Sequence, residues 1–236
     1  MSTLYTFTVI WGAICLLVFF LPYRMRFALA TCWNRCAIWL AKNICGIHYQ
    51  IVGYENLPDE PVILLSKHQS AWETIFFLYA MPKPLVFVLK KELLRIPFFG
   101  WTLALLRMIP IDRSHGTSAF RKVIEQGKQR LAEGLWIMIF PEGTRTAVGE
   151  KIKYRNSGTR LAIETKTKVV PVALNSGECW PRHTILKKPG LITVSIGNPI
   201  SPEGKSPDDM MSEAEAWIES EMRRISPHAY PNAGQT

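Results

Sequence analysis

The sequence predicts an α/β fold, with a central mostly parallel β-sheet flanked by helices and preceded by an N-terminal membrane-associated helical pair. Three observations carry this. Seven short β-rich runs recur after residue 46, helical patterns lie between several of them, and residues 1–23 contain no charged side chain.

The N-terminal elements come first. Residues 9–21 are almost wholly apolar and Arg24 and Arg26 follow at once, which is close to bilayer-spanning length. A cleaved signal peptide competes with this reading, because Ala28-Leu29-Ala30 has the look of a cleavage site, but no basic residue precedes the apolar run. Residues 27–47 mix Trp33, Ile38, Trp39, Leu40 and Ile44 with Asn34, Arg35, Lys42 and Asn43, as an interfacial helix would, with tryptophans suited to headgroup level. The pattern admits either a crossing first segment or a hairpin in one leaflet. If the segment crosses, Arg24 and Arg26 leave the following domain on the cytoplasmic side.

Strands are expected at 47–52, 62–66, 85–89, 108–111, 135–140, 169–174 and 191–196, and helices at about 72–79, 117–133 and 157–165. Ser206-Pro207-Asp208-Asp209 is a helix start, and Met211, Ala214, Ile218, Met222 and Ile225 mark one face of a closing scaffold helix. The organisation is therefore an anchor over 1–46, an α/β domain over 47–226, and a tail over 227–236 that is expected to fray.

At 236 residues and 48% hydrophobic, the chain suits one domain with an appendage. Its net charge of +9 favours an anionic partner. Nucleic acid is not that partner, since the basic residues are scattered and no RNA-binding or zinc-finger signature is present. The five cysteines are odd in number and four lie in apolar segments, which implies free buried thiols in a reducing compartment and no disulfide framework. Cys32 and Cys36 are one helical turn apart, but nothing nearby completes a zinc set, and no metal is expected. There is no P-loop and no Gly-rich dinucleotide fingerprint.

Two segments carry chemistry. Lys67-His68-Gln69-Ser70-Ala71-Trp72-Glu73 sets an imidazole five residues before a carboxylate, a combination that takes a proton from a hydroxyl at neutral pH. Ser70 to Glu73 is also a capping box, so Glu73 has a purely structural reading. Five helical residues turn about 500°, leaving the side chains roughly 140° apart if both are helical. His68 must therefore precede the helix to meet Glu73, which is where the capping reading puts it, and one Glu73 serves both purposes. The second segment, Phe140-Pro141-Glu142-Gly143-Thr144-Arg145, ends a strand with Gly and Arg. Such a loop brings backbone amides and a guanidinium fork against a phosphate. His68, Arg113, Glu142 and Arg145 each follow a predicted strand within a few residues, where an open α/β sheet holds ligands. Ion pairing is the bland reading of each arginine.

Four segments in order resemble the glycerolipid acyltransferase family, most closely its bacterial 1-acylglycerol-3-phosphate acyltransferase branch. The family's His-x4-Asp motif is similar to His68 to Glu73, its Ile-Asp-Arg motif to Ile111-Asp112-Arg113, its Phe-Pro-Glu-Gly-Thr-Arg motif to residues 140–145, and its Val-Pro-Val motif to residues 170–172. Lys90-Lys91-Glu92-Leu93 with Ile96-Pro97-Phe98-Phe99-Gly100 is similar to a further family stretch, so the likeness runs from about 47 to 200. Glu73 departs from the commoner Asp. The resemblance implies a membrane enzyme of the bacterial inner membrane, facing the cytoplasm. It would move an acyl group from an acyl-CoA or acyl carrier protein thioester to the sn-2 hydroxyl of lysophosphatidic acid, giving phosphatidic acid, with no cofactor.

In that reading His68 is the base and Glu73 fixes its tautomer. Arg113 and Arg145, with Gly143, Thr144 and Lys90 or Lys91, hold the substrate phosphate. Glu142 either positions those cations or touches the glycerol hydroxyl. A backbone amide near Ser70 or in the 140–145 loop holds the oxyanion, and Trp180-Pro181-Arg182 either lines an acyl pocket or simply packs. Relatives acting on other lysophospholipids or lipid-like alcohols share these motifs. Two rivals are a serine hydrolase, which lacks a Gly-x-Ser-x-Gly elbow here, and a non-catalytic module that binds anionic lipid.

Overall fold

The computed structural model describes residues 2–112, 116–182 and 184–230. Its first two helices are α1 (Ser2–Leu17) and α2 (Tyr23–Cys45). They form a hairpin in which the Trp11 indole N–H donates to the Leu29 carbonyl at 3.2 Å. The apolar run expected over 9–21 is broken at Leu17 by turn bonds from Phe19 and Leu21. Pro22, with φ of −53°, then starts α2 upstream of the expected residue 27. Gly46, with φ of 66°, stops it in a left-handed cap. No described helix is long and apolar enough to cross a membrane. Cys15 and Cys179 are buried, but Cys32 and Cys36 face solvent, against the expectation of buried thiols.

The strands are β1 (Ile47–Val52), β2 (Ile63–Ser66), β3 (Leu85–Lys90), β4 (Ile109–Ile111), β5 (Trp136–Ile139), β6 (Val169–Leu174) and β7 (Gly190–Ile196). Among the described residues they form one sheet of order β1-β7-β6-β2-β5-β3-β4. Every neighbouring pair is parallel except β6 and β7. Strands β2, β5 and β6 are buried along their whole length, which explains their unbroken apolar runs: helices cover both faces and leave no polar side for alternation.

Helices α3 (Trp72–Ala80), α5 (Gly116–Ala132), α6 (Ser157–Thr165) and α8 (Pro207–Ile225) match the expected helical segments. Helix α8 packs across β6 and is started by Ser206, whose hydroxyl accepts from the Asp209 amide while Asp209 returns a bond to the Ser206 amide. Two further helices, α4 (Phe99–Leu105) and α7 (Ser176–Cys179), had no periodic signal. Gly100 is required in α4, because a Cβ there would lie 2.4 Å from the Leu93 carbonyl oxygen and 2.5 Å from that of Leu94. The tail expected to fray over 227–236 is ordered as far as it is described. Ala229 and Tyr230 donate to the Ser226 carbonyl, and the Tyr230 ring is buried.

The strand order β6-β2-β5 gathers the chemistry. These three parallel neighbours share a register in which Leu64 pairs with both Val170 and Met138, so their carboxyl ends finish side by side. The loops after them carry Ser176, His68 and residues 140–145, and a parallel sheet gathers such loops at one edge.

Candidate active site

The loop leaving β2 is built around Glu73. The His68 Nδ1 lies 2.5 Å from Glu73 Oε2. The other carboxylate oxygen accepts from the Gln69 amide at 2.7 Å, the Ser70 amide at 2.8 Å and the Ser176 hydroxyl at 2.5 Å. His68 therefore precedes α3 and Glu73 sits in its first turn, as the geometric argument required. The cap differs in detail: Ser70 Oγ accepts from the Trp72 amide at 3.0 Å, one residue earlier than a full capping box places it. Glu73 is wholly buried, whereas the His68 side chain is 15% exposed. A carboxylate at Nδ1 holds the proton there and leaves the Nε2 lone pair for the cavity. Phe140 fixes the ring plane, stacking on the imidazole at 3.8 Å with 15° between planes.

Glu142 does not do what the sequence suggested. It is buried, and its Oε1 meets the Lys67 ammonium at 2.8 Å while its Oε2 accepts from the His68 amide at 2.6 Å. Thr146 adds a hydroxyl bond to Glu142 and donates its amide to the His68 carbonyl. The carboxylate thus grips the backbone of the imidazole loop, and Glu142 is not among the residues that line the cavity. Lys67 has no exposure and also pairs with Glu219 of α8 at 3.0 Å, with the Tyr154 and Tyr230 rings beside its ammonium. Desolvation is the largest influence on Lys67 and lowers its pKa, but Glu142 and Glu219 outweigh it and hold the ammonium above its ordinary value. Burial pushes the Glu142 carboxyl up, against the pull of Lys67. The ammonium keeps its proton, and the cost of burial falls on the Glu142 carboxyl.

Residues 140–145 turn away from β5 with Gly143 at φ of 70°. Arg145 is half-buried and Thr144 exposed, and both line a cavity of about 850 Å³ together with His68, Gly143 and Lys90. Among the described residues neither Arg145 nor Arg155 has an ion-pair partner, which sets aside the bland reading of Arg145. Lys91 lies 3.6 Å from Asp112 and does not line the cavity. Arg113 lies outside the described residues.

Sequence reasoning missed Arg155, Ser176, Lys67 and the ring role of Phe140. Arg155 lines the cavity, with its Nε 3.5 Å from where a Gly143 side chain would begin. It follows no predicted strand, so nothing local marked it. Helices α1, α2, α3 and α4 also wall the cavity, mainly with apolar side chains such as Trp11, Trp33, Leu78 and Leu103, alongside Asn34, Thr74 and Thr102. Trp180, Pro181 and Arg182 are not part of that wall. Trp180 packs under Lys187, and Arg182 donates to the Arg145 carbonyl. The amides of Ser70 and Gly143 are committed to Glu73 and to the Phe140 carbonyl, so neither is free for an oxyanion.

The Acyltransferase family model matches residues 48–175. The chain is 44% identical over 223 residues to the 1-acyl-sn-glycerol-3-phosphate acyltransferase of Pseudomonas aeruginosa, covering 92% of this chain and 86% of that protein. It is 30% identical to the enzyme of the same name from Saccharomyces cerevisiae, covering 77% of this chain and 61% of the yeast protein. In fold it is similar to the crystal structure of the 1-acyl-sn-glycerophosphate (LPA) acyltransferase PlsC from Thermotoga maritima. The TM-score is 0.78 at 22% identity, over 95% of this chain and 91% of that one.

Replacing Lys67 by Met strands two buried carboxylates and is expected to cost about 3–5 kcal/mol in denaturant unfolding. With a folded pKa above the ordinary 10.5, Lys67 contributes its full stabilisation below that value and loses it as pH climbs through the folded one. Wild-type protein should therefore show an alkaline loss of stability that Lys67→Met lacks. Ser176→Ala leaves a buried carboxylate one donor short, which should cost about 1–3 kcal/mol in the same measurement.

Proposed function

This chain belongs to the acyltransferase family, and from that membership we propose that it is a 1-acyl-sn-glycerol-3-phosphate O-acyltransferase. It transfers a fatty acyl group from a coenzyme A or acyl carrier protein thioester to the sn-2 hydroxyl of 1-acylglycerol-3-phosphate, giving phosphatidic acid. The observation that carries this reading is a cavity lined at once by the His68 imidazole, backed by Glu73, by Arg145 and Arg155, and by apolar side chains of α1 to α4. An amphipathic substrate with an anionic head and a hydrocarbon chain fits that polarity. The relatives named for this activity support it.

The steps follow from the geometry. Arg145 and Arg155, with Lys90 at the rim, receive the phosphate, and Gly143 keeps the approach clear. His68 Nε2 takes the sn-2 hydroxyl proton as the oxygen attacks the thioester carbonyl carbon. The resulting imidazolium is stabilised by Glu73, whose other oxygen is held in place by three further donors. Collapse of the tetrahedral intermediate breaks the carbon–sulfur bond, and the proton returns from Nε2 to the leaving thiolate. The acyl chains lie along the walls of α1 to α4. We place α1 and α2 at a membrane surface with the sheet on the cytoplasmic side, consistent with Arg24, Arg26, Arg35 and Lys42 after the uncharged first segment.

His68→Ala should lower turnover by about 10² to 10⁴ in an acyl-transfer assay with purified protein. Its circular dichroism should be unchanged, because Glu73 keeps its other donors; normal acylation would refute the role. Arg145→Lys keeps the charge but loses the fork, so the KM for lysophosphatidate should rise about tenfold. The KM for the thioester should move far less, and equal effects on both would count against phosphate binding.

A further inference from the structure

Outside α1 and α2, the most exposed large hydrophobic side chains among the described residues are Ile185 and Leu186, at 71% and 80%. They stand side by side in the loop between α7 and β7. Such a pair is costly on a surface that only meets water.

Several of the loop's polar groups are met from within it or from α7. The Leu186 amide donates to Thr184 Oγ1 at 3.1 Å, and the Lys187 ammonium donates to the Thr184 carbonyl at 3.0 Å. The Lys188 amide donates to the Cys179 carbonyl at 2.8 Å. Lys187 also rests over the Trp180 ring at 4.4 Å, so the turn below the apolar tip is held in one shape. Each backbone group met in this way lowers the cost of bringing the tip into a low-dielectric layer.

Position and charge agree. At the loop's base the Gly190 amide donates to the Gly46 carbonyl at 3.0 Å, which joins the loop to the end of α2. There Ile44 is 73% exposed and Lys42 is exposed. Residues 179–196 contain no Asp or Glu, and neither does α2. At its other end, Arg182 donates to the Arg145 carbonyl, so the same loop buttresses the arginine at the cavity mouth.

We propose that Ile185 and Leu186, with the exposed Lys188 close after them, form a second membrane contact that docks on an anionic phospholipid bilayer beside the end of α2. This rests on the reading that the enzyme works at a lipid surface. The apolar side chains enter the acyl boundary while Lys188, with Lys42 at the end of α2, meets phosphate headgroups, each cation adding to the attraction. An acidic protein would engage the lysines but would leave the two aliphatic side chains unexplained.

The test is co-flotation of the full chain with vesicles of phosphatidylcholine and phosphatidylglycerol, and with phosphatidylcholine alone. The double variant Ile185→Ser, Leu186→Ser should partition onto anionic vesicles about tenfold more weakly than wild type. Its unfolding midpoint and its turnover on detergent-dispersed lysophosphatidate should be unchanged. Lys188→Gln should weaken binding to anionic vesicles only. Wild-type binding matched by the double variant would overturn this proposal while leaving the membrane reading intact. A wild type that fails to float with either vesicle would overturn both. Normal flotation of the double variant with a raised KM for a protein-borne thioester would reassign the loop to an acidic protein partner.

Discussion

A lysine ammonium with no access to water ties the two chemical loops of this protein together. Lys67 immediately precedes His68, and Glu142 immediately precedes Gly143, so their 2.8 Å contact joins the loop carrying the imidazole to the loop carrying the arginine. Burying such a pair brings little net stability against a well-packed apolar alternative, because desolvation consumes most of the attraction. What it fixes is position. Glu142 also accepts the His68 amide, so the ion that grips Lys67 sets the backbone from which the ring projects.

The same economy of placement governs the ring itself. Glu73 offers one oxygen to the imidazole and gives the other to three donors, of which Ser176 arrives from the end of β6. Phe140, from the end of β5, closes the face of the ring. The imidazole is thus held by loops after β2, β5 and β6, the three parallel neighbours at the centre of the sheet. A base held this way loses little freedom on engaging a hydroxyl, which is how positioning lowers a barrier. Helix α8 takes part from the far side through Glu219, and Tyr230 extends the support by accepting from Gln69.

The cavity joins this rigid centre to the helical pair. Loops of the sheet and helices α1 to α4 line it together, so the helical pair is also a wall of the site. Hydrophobic burial there orders the helices and shapes the pocket in one step. Asn34 of α2, buried and donating to the Ile75 carbonyl of α3 at 3.0 Å, locks the two parts in register.

By itself the sequence determined the strands, most helices, and the dyad with its order along the chain. Apolar runs and the Ser206 helix start report the needs of neighbouring residues, and the five-residue step from His68 to Glu73 is short enough for helix geometry to place both. Tertiary structure decided the rest. It set Glu142 against Lys67, brought Ser176 to Glu73, set Arg155 beside Gly143, and ended α1 at Leu17 where the composition alone ran on to residue 21. The Lys67 to Glu219 contact spans 152 residues of chain. No local pattern encodes such a pairing, because it exists only once the sheet order has brought the two segments together.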